Sequence, residues 1–175
     1  MYINEFIKYE LGKNNYYPQN FNNKQNIIYL EMFFDEAFPH IRLFETINFI
    51  KDINDYPHDR FLFELVELSI DEQNGLIYIY ESYRTYDSKS KTLEIEELLE
   101  QDNFIELCKI GFLDYMIITK ENFIHLLLAW DKLLNEQSAF ILLYLDDENW
   151  YEVLSFDSQE VMEQFVVDHI KLDNV

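Results

Sequence analysis

Phe61-Leu62-Phe63-Glu64-Leu65-Val66-Glu67-Leu68-Ser69-Ile70-Asp71-Glu72-Gln73-Asn74-Gly75-Leu76-Ile77-Tyr78-Ile79-Tyr80-Glu81-Ser82-Tyr83 holds two alternating apolar runs split by five turn-forming residues. An alternation of period two gives each strand one apolar face. Asn74-Gly75 readily supplies the positive φ angles of a hairpin turn. This stretch therefore predicts a β-hairpin over 61–83. Its acidic tip displays Asp71 and Glu72.

Helices flank that hairpin. From Pro39 to Ile53, Leu43, Phe44, Ile47 and Ile50 recur at helical spacing, with Pro39 suited to a first turn. From Thr92 to Lys109, Leu93, Leu98, Leu99, Phe104 and Leu107 alternate with Glu94, Glu96, Glu97, Glu100 and Glu106, which suits a surface helix broken near Asp102-Asn103. The outer face of that helix would carry Glu96, Glu97 and Glu100.

Phe112 to Ile118 predicts a strand, with Thr119 placed to cap a helix whose inner face holds Phe123, Leu126, Leu127, Trp130 and Leu134. Ala139 to Leu145 is a continuous apolar run, the pattern of a strand covered on both sides. The turn Asp146-Asp147-Glu148-Asn149 leads to a second strand, Trp150 to Phe156. Asp157 is placed to cap a last helix that turns Val161, Met162, Phe165, Val166 and Ile170 inward. The order helix, hairpin, helix thus occurs twice, around 39–108 and 120–170, without a residue-level repeat.

The first thirty-odd residues are less patterned. A short N-terminal helix, an Asn-rich loop over 12–26 and a strand from Asn26 to Phe34 are expected there. The whole reads as a single α+β domain, residues 1–175, with a mostly antiparallel sheet packed against helices. Its 175 residues and 49% hydrophobic content suffice for one core.

The charge bears most directly on function. There are 34 acidic against 13 basic side chains, a net charge of -21, and 8 of the acids and 5 of the bases lie within residues 1–57. The surplus therefore belongs mainly to structure built after Pro57. Such a field repels nucleic acid and anionic lipid and attracts basic proteins from a distance. Aromatic content of 17% argues against a disordered acidic tail.

Catalytic and cofactor signatures are lacking. The three glycines, Gly12, Gly75 and Gly111, form no phosphate-binding cluster. One cysteine, Cys108, excludes an internal disulfide and a thiolate-rich metal site, and suits a reducing cytoplasm. No signal-peptide pattern or membrane-spanning apolar run is visible. His40, His58, His125 and His169 lie in no metal-ligand spacing. No catalytic, cofactor-binding or metal residue is therefore assigned. His58-Asp59, in a loop, is the one candidate general base and supports an alternative reading as a small hydrolase.

Asp146-Asp147-Glu148-Asn149-Trp150-Tyr151-Glu152 groups carboxylates and aromatics at a tight turn, the composition of a binding hot spot for a basic partner. Asp146, Asp147, Glu148, Trp150 and Glu152 are the first partner-binding candidates. Asp71, Glu72, Glu96, Glu97 and Glu100 come next.

From Asp114 to Phe156, a strand precedes Thr119-Lys120-Glu121-Asn122-Phe123 and a Leu-rich helix bearing Ala129-Trp130-Asp131. A further strand then leads into the Asp146-Asp147-Glu148-Asn149-Trp150 turn. That run resembles the small acidic immunity proteins of bacterial polymorphic toxin and contact-dependent growth inhibition systems. The resemblance covers about a quarter of the chain. It implies a cytoplasmic, non-enzymatic protein that binds one cognate toxin domain, commonly a nuclease, and occludes its active or nucleic-acid-binding surface. It transfers no interface residue. A nucleic-acid mimic that inhibits several DNA-binding proteins is the alternative from the same charge.

Overall fold

A computed structural model describes residues 2–11, 16–21, 27–37, 40–51, 60–82 and 92–170. The fold class is α+β, and the chain divides into two compact units, one of residues Met1–Glu31 with Asn122–Val175 and one of Met32–Glu121. Each unit contains a four-stranded sheet in which every pairing is antiparallel. The sequence predicts one such sheet. The doubled helix–hairpin–helix order is the trace of the second.

In the first unit the strands are β1 (Ile3–Leu11), β2 (Tyr16–Phe21), β7 (Phe140–Asp146) and β8 (Tyr151–Phe156), arranged β2-β1-β7-β8. The helix expected at the N-terminus is instead β1, and β2 occupies part of the expected Asn-rich loop. In β1 Glu5, Ile7 and Tyr9 are buried on one face, a period-two pattern obscured in the sequence by the carboxylate at position 5, while Ile3, beyond a register shift, packs with Phe6 on the other. β2, which contains Pro18, is an edge strand, the position in a sheet to which proline is mostly confined.

The helices of this unit follow from the apolar run. Ile141 to Leu145 are all buried, so both faces of β7 need a cover. Leu142 and Tyr144, with Phe6 of β1, pack against Met162 and Val166 of α6 (Gln159–His169). On the opposite face Tyr9 meets Trp130 of α5 (Lys120–Glu136) edge-on, with ring centroids 5.0 Å apart. Ser158, not Asp157, caps α6 by accepting from the Val161 N–H, and that register turns Val161 outward, 56% exposed.

A buried amide finishes the open edge of β8. Asn122, on the first turns of α5, donates from Nδ2 to the Tyr151 carbonyl at 2.7 Å and accepts the Tyr151 N–H at 2.8 Å. A side chain thereby replaces the next strand for that residue. Glu5 serves a similar purpose at α1 (Ile27–Ala37), where its buried carboxylate accepts the Ile27 N–H at 3.2 Å. The β-branched and aromatic run from Asn26 to Phe34 predicts a strand, but from Ile27 on it is helix. Burial of Ile27, Leu30, Phe33 and Phe34 follows helical spacing instead.

The second unit orders its strands β3 (Arg60–Leu62), β4 (Val66–Asp71), β5 (Leu76–Glu81) and β6 (Tyr115–Thr119). The β4–β5 hairpin pairs as the alternation predicts, from Val66 opposite Glu81 to Asp71 opposite Leu76. Its residues are buried on both faces. Tyr78 and Tyr80 pack on Phe104, Leu107 and Cys108 of α4 (Phe104–Lys109), beside Ile95, Leu98 and Leu99 of α3 (Leu93–Glu100). Phe49 of α2 (His40–Lys51) touches Phe61, and Phe33 touches Phe63. The break expected at Asp102-Asn103 separates α3 from α4, with Asp102 at φ 52 and Asn103 capping α4.

Replacing Asn122 by Ala strands the Tyr151 N–H and carbonyl in a dry environment. The expected loss is about 2–3 kcal/mol, read as a lower urea midpoint at unchanged m-value. Asn122→Asp, which keeps the acceptor and loses the donor, should fall between.

Candidate functional site

The ten predicted binding residues divide evenly between the units. Asp146, Asp147, Glu148, Trp150 and Glu152 lie in the first, and Asp71, Glu72, Glu96, Glu97 and Glu100 in the second.

The β7–β8 turn is built by its own acid. Asp146 Oδ1 accepts the N–H groups of Glu148 and Trp150, both at 2.9 Å, while the Asp146 N–H donates to the Trp150 carbonyl at 3.0 Å. Asn149 sits at φ 62, a left-handed position that Asn tolerates. Asp146 is thus a turn-forming residue rather than a displayed charge, because its carboxylate saturates the backbone donors of the turn. Asp147 and Glu148 are exposed. Asp147 accepts the Tyr2 N–H at 2.9 Å, and Asn4 Nδ2 donates to the Asp146 carbonyl at 2.7 Å, so the start of β1 is tied to this turn.

Trp150 is half-buried rather than displayed whole, and its ring lies 5.6 Å from that of His125 on α5. His125 Nε2 approaches both carboxylate oxygens of Glu152 at 2.8 Å. An ionised carboxylate can only accept, and with Glu152 ionised Nε2 is the donor of the pair. Glu152 Oε1 also accepts the Val153 N–H at 2.9 Å. Glu152 is therefore held in place by α5 and its own strand. His125, which lies in no metal-ligand spacing, thus has a carboxylate partner on β8.

The hairpin tip of the second unit spends its acids in the same way. Asp71 accepts from the Asn74 N–H at 3.2 Å and Asn74 Nδ2 at 2.8 Å. The Asn74 side-chain hydrogen bond is the main cause holding the Asp71 carboxyl below its ordinary value. Glu72 pairs with Lys120 Nζ at 2.6 Å, and the Lys120 N–H donates to the Gly75 carbonyl. Gly75, at φ +64, supplies the left-handed residue of that turn.

The α3 carboxylates differ. Thr92 caps the helix, Ile95, Leu98 and Leu99 face the core, and Glu94, Glu96, Glu97 and Glu100 are exposed. Among the described residues, Glu96, Glu97 and Glu100 make no ion pair. Glu94 and Glu96 occupy the first turn, where the helix dipole favours anions.

The described residues contain no group of three or more His, Cys, Asp or Glu able to hold a metal ion. His58 lies outside the described residues. An open concavity of about 340 Å³ between the end of α5 and the end of β8 is lined by Glu136, Gln137, Ser138, Ala139, Ser155, Phe156 and Asp157, without a histidine or cysteine. No helix among the described residues is long and apolar enough to cross a membrane. Among known proteins, no family model, no curated protein and no solved structure matches this chain.

Cys108 is buried, and burial pushes its thiol up to about 12. Burial, then the charges of Glu152 and Asp146, push the Tyr144 phenol up to about 12, and burial raises Tyr151 as well. These acids ionise more readily unfolded than folded, so their contribution is intact below about pH 9 and is lost as pH rises toward 12. The urea midpoint should therefore fall between pH 8 and pH 11. Cys108 should resist a thiol reagent in the native protein at pH 8 and react once urea unfolds it.

Proposed function

We propose that this chain is a non-enzymatic inhibitor of a basic protein, an immunity protein that binds and neutralises a cognate toxin domain of nuclease type. The observation that carries the reading is the exposed acid of α3, where Glu96, Glu97 and Glu100 have no cationic partner among the described residues, in a chain of net charge -21. Together with Asp147 and Glu148, these groups project negative potential into solvent.

A nuclease must be basic where it grips phosphates. A folded acidic surface competes for those cations, steering association at long range and fixing register at contact. The inhibitor needs no chemistry of its own, since occupying the cationic cleft excludes the substrate. Such a complex forms quickly at low salt. It forms more slowly when the screening length drops to roughly 8 Å at physiological ionic strength.

The test is to express the basic C-terminal domain of a large protein encoded beside this gene, and to titrate it with the chain at two salt concentrations. A stoichiometric complex that weakens with salt and silences the domain is the expected result. Absence of binding sinks the reading. Joint replacement of Glu96, Glu97 and Glu100 by Lys should slow association and flatten its salt dependence, with about 0.2–1 kcal/mol lost per position. The folded state, checked by circular dichroism, should be unchanged because all three side chains are exposed.

A further inference from the structure

One leucine of α5 is not used by the core. Phe123, Leu126, Leu127, Trp130, Leu133 and Leu134 are buried, whereas Leu128 is 50% exposed. His125 stands three residues earlier, on the same side of the helix. Its ring meets that of the half-buried Trp150 across the β7–β8 turn. Leu128 and His125 thus share one side of α5, and the His125 ring meets Trp150, so the three form one strip of the first unit by helix spacing and ring contact.

The rim of the strip is negative. Glu152 is fixed beneath it by His125 and the Val153 N–H. Glu148, two residues from Trp150 on the same turn, is exposed, and its carboxylate has no hydrogen bond or ion pair among the described residues. Lys132, one turn beyond Leu128, is drawn to Glu136 at 3.8 Å. An indole and a carboxylate without a partner, two residues apart on one turn, are groups that a guanidinium can satisfy together, by stacking and by a charged hydrogen bond.

We propose that this strip seats an arginine-bearing segment of a basic protein partner, with the guanidinium on the Trp150 ring and paired to Glu148, and an adjacent apolar side chain on Leu128. Lysine fits less well, because its compact ammonium is strongly hydrated and lacks a planar face. A second copy of this chain would bring another net charge of -21 to the same place, and a nucleic acid would bring phosphates, so both are disfavoured. The proposal rests on the reading that the partner is basic, and adds which side chain it presents and where.

The probes are two peptides of equal charge, Arg-Leu-Arg-Leu-Arg and Lys-Leu-Lys-Leu-Lys, titrated into isotope-labelled full-length protein by NMR. The Trp150 indole resonance is identified by its loss in Trp150→Phe. The arginine peptide should shift the Trp150 indole and the His125 and Leu128 amides and bind about two- to fivefold more tightly than the lysine peptide. Trp150→Leu should abolish that preference. Glu148→Gln and Leu128→Ser, at exposed positions that leave the core intact, should weaken the arginine peptide. Equal affinities for the two peptides, or shifts confined to residues outside the strip, overturn the proposal. A chain that prefers the arginine peptide yet fails to silence the neighbouring toxin domain upholds the seat and refutes the immunity reading, so the two fail separately.

Discussion

Ile141 to Leu145 have no side open to water, and the first unit is organised around that constraint. A strand buried on both faces must have a neighbour on each edge and a cover above and below. β1 and β8 supply the edges, and α5 and α6 supply the covers. The strand must also end where burial ends, at Asp146, and the turn beyond it has to return the chain within three residues. Asp146 makes that return possible by accepting two backbone N–H groups. Burial of the strand, closure of the turn and the placement of Trp150 against His125 are successive consequences of one apolar run.

The same geometry divides the acids into two kinds. Asp146, Asp71, Glu5 and Glu67 serve the chain itself. The first two close hairpins, Glu5 receives the first N–H of α1, and the buried Glu67 accepts from Ser82 Oγ at 2.9 Å. Glu96, Glu97, Glu100 and Glu148 are exposed and satisfy no other group among the described residues. A carboxylate that already accepts backbone or side-chain donors has fewer lone pairs to offer an arginine, and its position is set by the chain rather than by a partner. Counting acids in the sequence therefore overstates the surface available to a partner.

How much was legible follows from the same distinction. The β4–β5 hairpin, α2, the α3–α4 break and the α5–β7–β8–α6 run could all be read, because each is fixed by local periodicity, turn chemistry or capping. The N-terminal region could not. β1 carries a buried carboxylate, Glu5, which accepts the N–H of Ile27, 22 residues away. The first N–H of α1 is met by that distant carboxylate, and the β-branched start of the helix imitates a strand. Non-local satisfaction of a polar group leaves no mark within a sequence window. Asn122 is a further case, an ordinary helix residue whose function of closing β8 depends on a strand 29 positions on.

The candidate surface was legible in its charge and obscure in its centre. Composition directed attention to the acids of the 146–152 turn, yet the side chains that give the surface an apolar middle, Leu128 and His125, lie on a helix whose pattern reads as core. The available signal was the surplus leucine. Phe123, Leu126, Leu127, Trp130 and Leu134 already complete one face of α5, so Leu128 must point elsewhere. An exposed leucine alone is unremarkable. Its meaning comes from the histidine three residues before it, the indole that histidine touches, and the exposed Glu148 two residues before that indole. In a chain this acidic, affinity for a basic protein requires little further design, because the field supplies encounter with any cationic surface. Discrimination among basic proteins has to come from short-range shape and stacking, and among the described residues of the first unit the strip of Leu128, His125 and Trp150 joins an exposed leucine and a half-buried indole on the turn that also carries the exposed Glu148.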